Sequence, residues 1–164
     1  MMRADVTQIV LEAYDRWWRG DTAGARRCFH ANARITVSGD PETVPLAGDY
    51  RGAAGVMAFL ARLDATARVL MPTLQDLLID GDCAVVRWTM PVRSGSVQAE
   101  LQCVDILRLR QHRIMALEQV FDTSAAAKLF GTQTLPRTLQ PDPVCQNGAA
   151  ASAVARDRPG DPGS

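Results

Sequence analysis

A chain of 164 residues is long enough for one domain with a real hydrophobic core. Its 18 Lys and Arg balance 18 Asp and Glu, and no basic stripe stands out, so neither nucleic acid nor an anionic membrane is an expected partner. Hydrophobic residues make up 47% and charged residues 22%, as in ordinary soluble domains, and no apolar run approaches the length needed to cross a bilayer.

The first fifteen positions include Asp5, Glu12 and Asp15 and lack the unbroken apolar core of a signal peptide, so the cytoplasm is the expected location. Cys28, Cys83, Cys103 and Cys145 are widely spaced and form no C-x-x-C pair, which suits a reducing compartment better than a disulfide framework. Cys28 and His30 have no further ligands nearby, so no metal site is expected.

In chain order, Val6, Ile9, Val10, Ala13 and Trp17 recur at helical spacing, with Asp5 as cap and Gly20 as stop. Thr22 opens a second short helix ending near Phe29. "RITVS" (34–38) is a short strand, and 39–49 a loop rich in Gly, Pro and acids. "GAAGVMAFLARL" (52–63) is a third helix with Val56, Phe59, Leu60 and Leu63 on one side.

The period then changes to two. Strands are expected over 72–79, 83–92, 97–110 and 113–121, joined by "DGD", "SGS" and the Gln111–His112 turn into a four-stranded antiparallel meander. Asp122 or Thr123 caps a last helix, "SAAAKLF", ended by Gly131. The domain spans 1–134. Residues 135–164, rich in Pro, Gly, Ala and Ser and without aromatics, bury too little surface to offset their ordering entropy and are expected to be disordered.

Helices followed by an antiparallel meander make an α+β fold. A curved antiparallel sheet with N-terminal helices packed on it encloses a conical pocket. Strand alternation predicts its lining: Ile35 and Val37; Val86, Trp88 and Met90; Cys103, Asp105 and Leu107; Leu117, Gln119 and Phe121. Asp105 is anomalous, because its neighbours on the same strand face, Cys103 and Leu107, are apolar. If the cone is hollow, this carboxyl points into it.

The helix leading to "RGDTAGARRCF", then "LAGDYRGAAGVMAFL", "LIDGDCAVVRW" and "DILRLRQHRIMALEQVFD" before a short helix, resemble in order and spacing the SnoaL-like polyketide cyclases and ketosteroid isomerases of the nuclear-transport-factor-2-like superfamily. The resemblance covers residues 6 to about 131. It implies a cystatin-like α+β barrel, cofactor-independent acid/base chemistry, and a homodimer formed through the sheet face that carries Val104 and Ile106. By this resemblance Asp105 stands where the isomerases carry a protonated oxyanion-hole Asp and some cyclases a His. The isomerase general base falls on Val37, its oxyanion Tyr on Ala13, and the cyclase acid near the end of the last strand on Gln119. The carboxylate of the limonene epoxide hydrolase pair falls near Trp88. Tyr14, one residue and about 100° further round the helix than Ala13, is expected to face away.

Asp105 and Gln119 are therefore the candidate catalytic residues. Burial disfavours the charged carboxylate and keeps it a hydrogen-bond donor; ketosteroid isomerase is the established example of a carboxylic acid so used. The alternative is a structural Asp held by a hydroxyl, an indole N–H or an Arg such as Arg87. Gln119 can orient a carbonyl or a water but is neither acid nor base. Trp17, Tyr50, Val37, Trp88, Leu117 and Phe121 are the candidate substrate-binding residues. His30 and His112 are expected at a helix end and in a solvated turn.

The expected function is an isomerase, cyclase or dehydratase acting on an apolar carbonyl or ring compound, without metal or cofactor. The alternative is a catalytically silent module of the same fold that binds a hydrophobic ligand or serves dimerisation.

Overall fold

A computed structural model of the chain describes residues 2–130. The tail expected over 135–164, and Gly131 as a helix stop, lie outside the described residues. The elements are α1 (Arg3–Trp18), α2 (Thr22–Arg27), β1 (Phe29–Val37), β2 (Gly48–Arg51), α3 (Gly52–Thr66), β3 (Arg68–Val69), β4 (Thr73–Asp80), β5 (Cys83–Ser94), β6 (Val97–Arg110), β7 (Arg113–Phe121) and α4 (Thr123–Phe130).

Local chemistry explains the helix ends. α1 begins two residues before the expected cap: Asp5 lies in its first turn, where its carboxylate accepts the Met2 N–H at 3.1 Å and opposes the helix dipole. Gly20, at φ 77°, lets the chain leave α1. Asp21, rather than Thr22, caps α2 by accepting the Gly24 N–H at 2.8 Å. A Cβ on Gly24 would stand 1.8 Å from the Asp21 Oδ2, so the cap requires glycine three residues on. Asp122 caps α4 through the N–H groups of Ser124 and Ala125, both at 3.0 Å.

The strands form one sheet in the order β2-β1-β7-β6-β5-β3, with β4 also paired to β5. β4 through β7 run antiparallel in turn, as alternation and turns predict. Three features differ from expectation. β2 adds an antiparallel strand that begins at the end of the segment read as a loop and runs on to Arg51, β3 adds a two-residue strand paired to β5, and β1 joins β7 in parallel rather than antiparallel. Period-two alternation is identical for both pair directions, so only the path of the chain could decide the last point.

Register shifts interrupt β1–β7, β4–β5 and β6–β7, and irregularities of this kind bend a sheet. α1, α3 and α4 cover its concave face. Val6 and Val10 of α1, Val56, Phe59 and Leu60 of α3, and Ala126 and Leu129 of α4 are buried there against Ile35, Val86, Trp88, Leu107 and Ile114. Cys28, Cys83 and Cys103 are free thiols. No helix among the described residues is long and apolar enough to cross a membrane.

Candidate functional site

β6 and β7 place Asp105 directly opposite Gln119, and Cys103 lies two residues earlier on the same face. α1 crosses this part of the sheet. Ala13, Tyr14 and Trp17 of α1, with Phe59, Leu60 and Leu63 of α3 and Phe130 of α4, form the helical wall of a cavity of about 80 Å³. Its sheet wall includes Met90, Val92, Leu101, Cys103, Asp105, Leu107, Leu117, Gln119 and Phe121. The cavity is apolar except where Tyr14, Cys103, Asp105 and Gln119 meet.

Asp105 is the hub of that corner and is completely buried. The Tyr14 hydroxyl donates to its Oδ2. Gln119 Nε2 donates to its Oδ1 at 3.0 Å, and the Cys103 thiol points to the same oxygen at 3.6 Å. Burial pushes the Asp105 carboxyl above its ordinary range, and the hydrogen bonds from Tyr14, Gln119 and Cys103 pull against it without cancelling it. Tyr14 is held well above the usual phenol range, first by burial and then by the Asp105 charge and hydrogen bond. The Cys103 thiol is pushed up by burial and then by Asp105, so it stays protonated. At the end of an apolar cavity the molecule thus holds a carboxyl biased toward its acid form, braced by an amide and touching a phenol.

The inward position of Tyr14 corrects the expectation that it faces away. Val10, Ala13, Tyr14 and Trp17 stand at i, i+3, i+4 and i+7 and share one helix face, so Tyr14 belongs to the buried stripe with its neighbours. That spacing was the signal that could have found it. The phenol reaches Asp105 from across the cavity, a contact separated by 91 residues in the chain.

Of the remaining candidates, Trp17, Leu117 and Phe121 lie on the cavity wall, and the Trp17 indole N–H also donates to Asp64 of α3 at 3.1 Å. Val37, Trp88 and Tyr50 are buried but stand off the wall. Val37 pairs with Gln119 across β1–β7 beneath the helices. Trp88 lies behind Tyr14, edge-on to its ring with centroids 4.9 Å apart. Tyr50 anchors the segment before β2: its hydroxyl donates to the Leu46 carbonyl at 2.9 Å and accepts from Arg62 at 3.0 Å. Arg87, weighed as a partner for Asp105, instead pairs with Asp76. The His30 Nδ1 accepts the Asn32 N–H at 3.1 Å, away from the cavity wall, and His112 is exposed in its turn. Among the described residues no three His, Cys, Asp or Glu side chains converge as a metal site would require.

Comparison with known proteins agrees with this architecture. An NTF2-like protein from Burkholderia xenovorans LB400 superposes with a TM-score of 0.72 at 23% identity, covering 79% of this chain and 98% of that one. TerC, co-crystallised with polyporic acid, gives 0.69 at 23% identity over 78% of this chain and 99% of its own. A protein of Jannaschia sp. CCS1 described as a SnoaL-like polyketide cyclase gives 0.67 at 15% identity, over 80% and 94%. These likenesses establish the fold. No curated protein sequence matches the chain. The model of the SnoaL-like domain matches residues 10–117, which span α1 through most of β7 and include both Tyr14 and Asp105; the chain belongs to the SnoaL-like domain family.

Proposed function

We propose that this protein is a small cofactor-independent acid/base enzyme of the cyclase–isomerase type. It acts on an apolar carbonyl or ring compound held in the cavity. The observation that carries this reading is the completely buried Asp105, biased toward its acid form at the one polar corner of an otherwise apolar wall. With Asp105 protonated, Gln119 occupies Oδ1, so the acid proton belongs on Oδ2 and is given to the Tyr14 oxygen. The Tyr14 hydroxyl is then free to point into the cavity toward a substrate oxygen. A preorganised donor of this kind contributes about 3 kcal/mol to lowering a barrier.

Among the described residues no carboxylate other than Asp105 and no histidine lines the cavity. An acid without a partner base suits substrates whose nucleophilic carbon loses its proton readily to water, such as 1,3-dicarbonyl compounds. The free thiols Cys28, Cys83 and Cys103 suit the reducing cytoplasm. The outer sheet face carries Leu78 at 64% and Val120 at 40% exposure beside the half-buried Val85, Val104 and Ile106, and a second copy covering it would make the homodimer.

The test is exchange of α-protons in D₂O, followed by NMR, over a panel of neutral cyclic ketones and 1,3-dicarbonyl compounds. The wild-type protein is expected to accelerate exchange or cyclisation of at least one compound. Asp105→Asn should lose about 100- to 1,000-fold in rate while still binding it. Undiminished turnover in Asp105→Asn would refute the reading.

A second reading, a silent hydrophobic-ligand module of the same fold, is favoured by one observation: both oxygens of Asp105 already have protein donors. It predicts binding to the same panel with no exchange above the buffer rate.

A further inference from the structure

The Trp88 indole is 2% exposed, and its N–H has no hydrogen-bond partner among the described residues. A buried donor left unpaired lowers stability, and such orphans are few in folded proteins. A phenylalanine on this face of β5 would place an aromatic ring there without the unpaired donor. The indole is fixed in place from two sides. Trp18 meets it at 89° with ring centroids 4.8 Å apart, and Tyr14 meets it at 61° with centroids 4.9 Å apart. It lies directly against the Tyr14 ring, and its N–H favours the ionised phenol while making no hydrogen bond in the structure.

The Tyr14 oxygen has one proton to give and two lone pairs to offer. With Asp105 ionised, the proton goes to Oδ2 and both lone pairs remain. With Asp105 protonated, one lone pair accepts the acid proton and the other remains. In both states the oxygen can take one more donor, and Trp88 supplies an N–H beside it.

We propose that Trp88 is a positioning residue whose indole N–H is held for the Tyr14 oxygen and engages it as Tyr14 gives its proton to an oxygen-bearing ligand. The proposal rests on the reading of the corner as a proton-donating site. In the step, the Tyr14 O–H bond breaks as the ligand oxygen takes the proton. The Asp105 Oδ2 proton passes to Tyr14, and the carboxylate left behind is held by Gln119 and Cys103. Negative charge develops on the phenolic oxygen during this transfer, which is where a fixed N–H dipole stabilises it. Trp88 does not line the cavity, so it acts through Tyr14 and not on the ligand.

The test replaces Trp88 with 3-benzothienylalanine, which keeps the bicyclic ring and substitutes sulfur for the N–H. The probe is 2-naphthol, whose ionised form is an apolar ring with one oxyanion able to take the Tyr14 proton. Its affinity is expected to fall about tenfold in the protein that has Tyr14 and to stay unchanged when the same replacement is made in Tyr14→Phe. Equal losses in both backgrounds, or no loss in either, would overturn the proposal. A spectroscopic comparison stands beside it. The indole proton of Trp88 in ¹⁵N-correlated spectra should move downfield when 2-naphthol binds wild type and stay in place when it binds Tyr14→Phe, whose ring is nearly unchanged; no movement in wild type, or equal movement in both, also overturns the proposal. If wild-type protein does not bind 2-naphthol at all, the proton-donating reading fails and the proposal falls with it.

Discussion

Replacing Asp105 by Asn should change how stability depends on pH, and the direction follows from the burial of the carboxyl. Asn keeps the shape, and its carbonyl can accept from Gln119 Nε2 while its amide donates to the Tyr14 oxygen, so the variant keeps the hydrogen bonds of the neutral acid but has no proton to release. The folded-state pKa of Asp105 is raised above the ordinary value of about 3.9 because the site is completely buried. Below about pH 3.9 both folded and unfolded chains carry the proton, and the contribution to stability is fully present. As pH rises past that point the unfolded chain releases the proton while the folded chain retains it. Stability then falls by a factor of ten in the folding equilibrium per pH unit, about 1.4 kcal/mol, until the folded pKa is passed. Urea denaturation at a series of pH values from 4 to 9 measures this as the wild-type free energy minus that of Asp105→Asn, so that every other titrating group cancels. The difference should decline with rising pH from the first point and level off once the folded pKa is passed. A difference that is flat throughout, or that rises with pH, would show that the donors Tyr14, Gln119 and Cys103 offset or outweigh burial, and the acid-form argument would fall with it.

Other outcomes follow from the same structure. Tyr14→Phe removes a donor from a buried carboxyl and should destabilise the fold by about 1–3 kcal/mol near neutral pH, with a smaller loss in the Asp105→Asn background; urea titrations of both decide it. Gly24→Ala puts a methyl into the space of the Asp21 cap and should lower the melting temperature, with a loss of about 1–2 kcal/mol, the range for a lost N-cap. Leu129→Ala, at 1% exposure in α4, should cost about 2–5 kcal/mol in chemical denaturation. Leu78→Asp on the outer sheet face should shift a dimer to monomer in sedimentation velocity while leaving the fold intact; an unchanged oligomeric state would exclude that face as the interface.

Much of the fold was legible because its elements carry strong periodic signals. The alternation from Cys83 to Phe121 marks three long strands, and Gln111–His112 marks the turn between two of them even though both adopt positive φ. The same alternation put Asp105 and Gln119 on one face with Cys103, where the register confirms the first two as directly opposed. β2 was hidden because Gly48–Arg51 is only a four-residue edge strand in a loop-like composition. Val37, Trp88 and Tyr50 were legible as buried but not as standing off the cavity wall, because alternation tells which face a residue takes and not whether a helix covers it.

From residue order alone came the helices, the strands, their inward faces and the misplaced carboxyl at position 105. These depend on local periods and on single-residue chemistry, which a linear chain displays. The parallel pairing of β1 with β7, the hollow between helices and sheet, and the meeting of Tyr14 with Asp105 were decided only in three dimensions. Each depends on how segments far apart in the chain pack against one another, which no local pattern encodes.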